Sequence, residues 1–212
     1  MTALMKASVR DIPENAVILS ETEALKFQMD IVKTWKKPSE VFAIRYGSYA
    51  LGLSTLLSSV FLNNHFRRKF MLGHYGAFST YIPVCILPAA VSLVLHTEMI
   101  LRKTLLMNAS DCPVCLQVKS AALQSSLGLI YPLMAAPIGG AALAVRYATY
   151  NIPLIQEKPK EVLETFNKMM RKIKTKTIYI FLWQALLGAT VAYFETNEII
   201  GIHEKLSAPN RD

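Results

Sequence analysis

An all-α membrane protein with four transmembrane helices and amphipathic interfacial helices is the fold class this sequence predicts, and three observations carry the prediction. The run 120–145 holds no charged residue. At 1.5 Å per residue it is about 39 Å long as a helix, more than the roughly 30 Å of bilayer hydrocarbon. Second, 52% of the 212 residues are hydrophobic and only 18% are charged, with a mean hydropathy of +0.30. That is apolar for a soluble domain of this length. Third, the excess of basic residues, a formal charge of +8, sits at the ends of the apolar runs. Basic residues placed there suit lipid headgroups, whereas nucleic-acid binding needs them gathered on one folded face; no nucleic acid is expected as a partner.

The chain divides into an N-terminal segment (1–40), a membrane domain (41–196) and a polar C-terminal tail (197–212). Asp11 and Glu14 come early for a cleaved transit peptide and no secretory apolar region is seen, so targeting information is expected to be internal. Within the first segment, Leu25, Met29, Val32 and Trp35 recur at helical spacing opposite Lys26, Lys33 and Lys37. This reads as an amphipathic helix at a membrane surface or against a partner, and a short solvated helix fits the composition equally.

The first span is predicted at 41–62 and is followed by a basic turn through Arg67, Arg68 and Lys69. The second, 75–96, contains Pro83 and Pro88, which are expected to kink the helix and not to end it, because lipid tolerates no open loop at that depth. The third, 120–145, carries Pro132, Pro137 and the pair Gly139 and Gly140, which would weaken a helix in water but allow close helix approach in lipid. The connection 159–176 places Val162, Phe166, Met169 and Ile173 beside Lys168, Arg171, Lys172, Lys174 and Lys176, a basic amphipathic pattern suited to an anionic surface. The fourth span is predicted at 177–195.

Four crossings put both termini on one side. Total Lys and Arg tie between the two sides, and orientation rests on how tightly the basic connections flank the spans. They are expected to face the more negative compartment, with Cys112 and Cys115 opposite.

Cys112 and Cys115 form a Cys-x-x-Cys at the head of the third span. Three readings stay open: a structural disulfide in an oxidising space, unpaired thiols or a shared metal site, and a quinone-linked thiol-disulfide oxidoreductase. The last usually needs a second cysteine pair, and only Cys85 is left. Two ligands alone do not close a zinc site, and neither His65 nor His74 has the spacing of a metal or haem ligand set, so no metal or cofactor is expected. The central parts of the predicted spans hold no Asp, Glu, Lys or Arg, which argues against a transporter. No phosphate loop, Ser/His/Asp set or carboxylate pair points to an enzyme. Arg67, Arg68, Lys69, Arg171 and Lys172 are candidate lipid or partner contacts, and Arg67, Arg68 and Lys69 also read as a topology signal. Tyr131, Gly139, Gly140, Arg146 and Tyr147 are candidates for anchoring a span or touching a partner.

Two blocks resemble a known family. In 47–68, GSYALGLSTLLSSVFLNNHFRR, the residues Gly47, Ser48, Gly52, Leu53, Asn63, Phe66, Arg67 and Arg68 stand at the spacing of the first membrane segment of the transmembrane protein 126 family. Asp111, Cys112, Cys115, Lys119, Ser120, Gly128, Tyr131 and Pro132 match a second block, and Arg146, Tyr147 and Pro153 follow. Pro137, Gly139 and Gly140 are slightly displaced from the family's proline and glycines. The resemblance implies a mitochondrial inner-membrane protein that assists assembly of respiratory complex I, binding its membrane subunits or other assembly factors. It further implies a setting among anionic lipids such as cardiolipin, with the basic connections in the matrix and both termini in the intermembrane space.

Overall fold

The computed structural model describes residues 19–106, 112–150 and 159–207, and every regular element among them is helical. Asp111 and Pro153 of the matching blocks lie outside the described residues, as do 1–18 and 208–212 of the terminal segments. The elements are α1 (Glu21–Thr34), α2 (Phe42–Lys69), α3 (Ala77–Leu105), α4 (Pro113–Arg146), α5 (Pro159–Arg171) and α6 (Lys174–Ser207).

Three of these, α3, α4 and α6, are long and apolar enough to cross a membrane. The predicted first span corresponds to α2, which at 28 residues has the length, but Ser48, Ser54, Thr55, Ser58, Ser59 and Asn63 lower its apolar character. The reason is positional. α2 packs against α3, α4 and α6 alike, and most of its polar residues are buried inside the bundle. Bulky apolar side chains point outwards instead, among them Leu57 on α2, Phe78 on α3, Ile138 on α4 and Leu186 on α6. A polar interior under an apolar exterior is the arrangement expected where the surroundings are hydrocarbon.

The helices outrun the predicted spans. Arg67, Arg68 and Lys69 do not form a turn but the last turn of α2, where their charge complements the helix C-terminus. The C-terminal tail is helical through Ser207. Its Glu198 reaches across to the start of α2 and accepts hydrogen bonds from the Ala43 and Ile44 amides at 2.8 and 3.0 Å. Val41, the N-cap of α2, supplies no side-chain cap, so a carboxylate from another helix satisfies these otherwise orphaned N–H groups.

α1 starts at a reciprocal capping box between Ser20 and Glu23. It lies against its own chain. Ile31 and Val32 join Val41, Ile44, Leu101, Leu105, Ile199 and Ile202 in an apolar cluster at one end of the bundle. Glu40, between α1 and α2, is held below the usual carboxylate range first by Lys205, whose ammonium lies 2.7 Å away, and then by the Trp35 indole N–H. A second cluster, around Phe66, Phe70, Leu72, Val84, Cys85, Ala136, Ala144 and Met169, fills the other end. α5 belongs to it through Met169, and Phe166 meets Phe70 edge to face at 6.2 Å.

The prolines leave the helices continuous, and π turns absorb them. In 82–86 the Leu87 N–H bonds to the Ile82 carbonyl, and the next position is Pro88, which has no N–H. The Pro83 carbonyl is thereby left without a helical donor, and Tyr131 on α4 donates to it at 2.9 Å. In α4, Pro132 cannot serve the Gly128 carbonyl four residues back, and Ser58 of α2 donates there at 2.7 Å. These two carbonyls are thus satisfied from a neighbouring helix.

Arg67 is buried and is not a surface contact as predicted. Its guanidinium donates to the carbonyls of Gly73, Tyr75 and Gly76 and to Thr80 Oγ1, at 2.8, 2.9, 3.3 and 2.9 Å. It therefore holds closed the α2–α3 turn, in which Met71 and Gly76 take positive φ of 54° and 56°. Arg67→Ala should lower stability by about 3 kcal/mol, since three turn carbonyls and buried Thr80 lose a charged donor. Arg68→Ala, at an exposed neighbour, should change it by less than about 0.5 kcal/mol; thermal unfolding of the purified protein in detergent measures both.

Candidate functional site

Midway between the two apolar clusters, four helices turn polar residues towards one another. Gln184 of α6 and Gln124 of α4 are fully buried. Gln124 Nε2 donates to Gln184 Oε1 at 2.8 Å, to Thr55 Oγ1 at 3.0 Å and to the Leu51 carbonyl at 3.0 Å. Its own carbonyl accepts from Ser92 of α3 at 2.9 Å. Gln184 Nε2 donates to Ser58 Oγ at 2.8 Å and to the Ser54 carbonyl at 3.1 Å, while Ser54 Oγ donates back to Gln184 Oε1 at 3.0 Å. The network thereby ties α2, α3, α4 and α6 together. Ser59 and Asn63 continue the polar stripe of α2, and their buried side-chain polar atoms find no protein partner.

A second group lies one turn away towards the α1 end. Glu195 of α6 and His96 of α3 are both 0% exposed, and His96 Nε2 stands 3.1 Å from each carboxylate oxygen. His96 Nδ1 is 3.3 Å from Ser120 Oγ of α4, whose hydroxyl donates to the Gly188 carbonyl at 2.7 Å. With that hydrogen committed, Nδ1–H must be the donor to Ser120. One proton then has to lie between Nε2 and Glu195, either on the imidazolium or on the carboxylic acid, because otherwise lone pairs would face each other. The pair is neutral in sum in both forms, which suits burial in a low dielectric. Gly47 of α2 covers it so closely that an added Cβ would stand 2.9 Å from Glu195 Oε1 and 2.7 Å from Val191 Cγ1.

Sequence reasoning placed no Asp, Glu, Lys or Arg in the central parts of the spans and gave the span edges no site, and the structure adds a buried ionisable pair there. α6 continues for twelve residues past Glu195, so the residue that looked like the edge of a span is well inside a helix. The signal that could have found the site is the polar stripe at helical spacing: Ser120 and Gln124 on α4, then Gln184, Gly188 and Glu195 on α6.

The other predicted residues scatter. Cys112 caps the start of α4 and Cys115 lies one turn on; both are exposed free thiols. A hydrogen bond from Cys115 holds the Cys112 thiol below its ordinary value. Cys85 is buried in the cluster around Phe66, in the opposite half of the bundle, so it offers no second thiol to this pair. Tyr131 is spent on the Pro83 carbonyl and Gly140 on Phe70, whose Cδ2 would be 2.7 Å from an added Cβ. Both contacts are internal to the bundle. Gly139 meets only Thr80, at ordinary contact distance. Tyr147 stacks on Tyr75 at 5.1 Å with Arg146 exposed beside it, while Arg68, Arg171 and Lys172 are exposed. Among the described residues no three His, Cys, Asp or Glu side chains come together as a metal site.

The shared proton makes a test. Glu195→Gln can still hydrogen-bond to neutral His96, and should cost less than about 1 kcal/mol of stability. Glu195→Leu and His96→Leu each leave a buried polar group unpaired and should cost about 3 kcal/mol. Thermal unfolding in detergent reads the difference; equal losses for Gln and Leu would overturn the proton assignment.

Comparison with known proteins agrees with the layout. The family model described as Transmembrane protein 126 matches residues 26–208, from α1 to the end of α6. A curated Transmembrane protein 126 from Drosophila melanogaster is 39% identical over 185 residues, covering 87% of this chain and 83% of the fly protein. No solved structure matches. A match running through all six helices, with the polar layer inside it, establishes that this chain belongs to the transmembrane protein 126 family.

Proposed function

We propose that this protein is a non-enzymatic assembly factor for respiratory complex I in the mitochondrial inner membrane. It would bind unassembled membrane subunits, or the sub-assemblies and assembly factors around them, by helix packing. α2 crosses the membrane as a fourth span beside α3, α4 and α6, the basic ends face the matrix, and both termini lie in the intermembrane space. Family membership supports the cellular role. The observation that favours packing as the mechanism is the division of labour between faces: polar groups inside the bundle bond to one another, while the outer faces stay apolar. On α4 that outer face runs Met134, Ile138, Ala142 and Val145, flat enough at Ala142 for a partner helix to approach. Such a face could shelter the lipid-facing surface of a subunit until its permanent neighbours arrive.

Deleting the gene should lower complex I and leave a membrane sub-assembly accumulated, and the chain should co-migrate with that sub-assembly on native gels. Normal complex I after deletion would refute the proposal. The oxidising compartment proposed for Cys112 and Cys115 gives a further expectation. Mass spectrometry of non-reduced, alkylated mitochondria should recover the two as a Cys112–Cys115 disulfide, whereas free thiols there would contradict either the pairing or the orientation.

A further inference from the structure

Three lysines gather around one hollow where α2 ends. Lys69, Lys168 and Lys172 line a cavity of about 310 Å³ together with Tyr150, Thr165 and Met169. Among the described residues no carboxylate lines it, and none of the three lysines takes part in an ion pair. Like charges gathered around one hollow repel, and a bound anion converts that repulsion into attraction. The cavity walls come from two elements. Lys69 closes α2, and the other two lysines belong to α5 and the residue just after it, whose apolar side is anchored on the bundle through Met169 and Phe166.

The helix below the cavity indicates which anion. Leu53, Leu57, Phe61, His65 and Lys69 follow at four-residue spacing, so they form a ridge that winds round α2 by about 40° at each step. Leu57 is 63% and Phe61 38% exposed, and Lys176 of α6 sits over the Phe61 ring at 5.7 Å. An apolar track thus leads up the outside of the bundle and ends in a basic hollow. A free phosphate would use only the hollow; a molecule with a phosphate head and a hydrocarbon tail uses both. We propose that this cavity binds the phosphate headgroup of an anionic membrane lipid, with an acyl chain along Leu53, Leu57 and Phe61. The site rests on the bundle's crossing a membrane and is independent of the role in complex I assembly. Occupied, it clamps α5 to the end of α2.

The test uses the purified full chain in neutral detergent, titrated with cardiolipin, phosphatidylglycerol, phosphatidylcholine or inorganic phosphate, with bound lipid counted by native mass spectrometry. Either anionic lipid should bind at least about ten-fold more tightly than phosphatidylcholine. The variant Lys69→Gln/Lys168→Gln/Lys172→Gln should lose at least about ten-fold of that affinity, and Arg68→Gln/Arg171→Gln/Lys174→Gln, which removes equal charge beside the cavity, less than about three-fold. Equal losses would overturn the site, leaving general surface attraction, and so would displacement of the lipid by millimolar phosphate. If the first variant does not fold, acetylation of the wild-type protein decides: anionic lipid should shield Lys69, Lys168 and Lys172 more than the exposed Lys174 beside the cavity, and uniform shielding would refute the pocket. Because binding is read on the purified chain, its failure leaves the assembly role standing, and normal complex I after deletion leaves the lipid site standing.

Discussion

The architecture depends on the hydrogen bond between two glutamines, Gln124 and Gln184, at the centre of the bundle. In water, apolar faces would drive these helices together. In hydrocarbon the outer and inner faces would be equally content with lipid, and another source of specificity is required. Two amides on different helices, each needing several partners, supply it. They fix the rotation of α4 and α6, recruit Ser54, Thr55 and Ser58 from α2 and Ser92 from α3, and set the depth at which all four meet.

The prolines fit the same logic. A proline in a spanning helix frees a carbonyl, and in this protein two such carbonyls are used. The one at Pro83 receives Tyr131, and the one at Gly128 receives Ser58. Helix distortion and interhelical bonding are coupled at these two sites: the π turns at 82–86 and 126–130 each hold an acceptor on which a neighbour's hydroxyl closes. Arg67 does the same at the α2–α3 turn with carbonyls released by the reversal of the chain.

The fold class was legible because hydrophobic run length and the placement of basic residues are one-dimensional properties. What one dimension hides is which way a residue faces. Arg67 and Lys69 look alike in a basic string, yet one is buried among carbonyls and the other lines a cavity. Gly140 and Gly139 look like a pair, yet only Gly140 is pressed on an aromatic ring. His96 and Glu195 stand 99 positions apart, so no local pattern could join them, and each sat at the edge of an apolar run where a polar residue is unremarkable. The glutamines were readable in principle, as amides at helical intervals in uncharged segments, since such residues in a span need an interior partner.

The carboxylate of Glu198 on the Ala43 and Ile44 amides has a consequence for biogenesis. Those amides belong to α2 and the carboxylate to α6, more than 150 residues later. During synthesis α2 therefore waits with an unfinished end, and Gly47 waits for the Glu195 it will cover. Closure of the bundle waits for α6: without it the Ala43 and Ile44 amides, His96 and Gln124 each lack a partner that only this helix supplies.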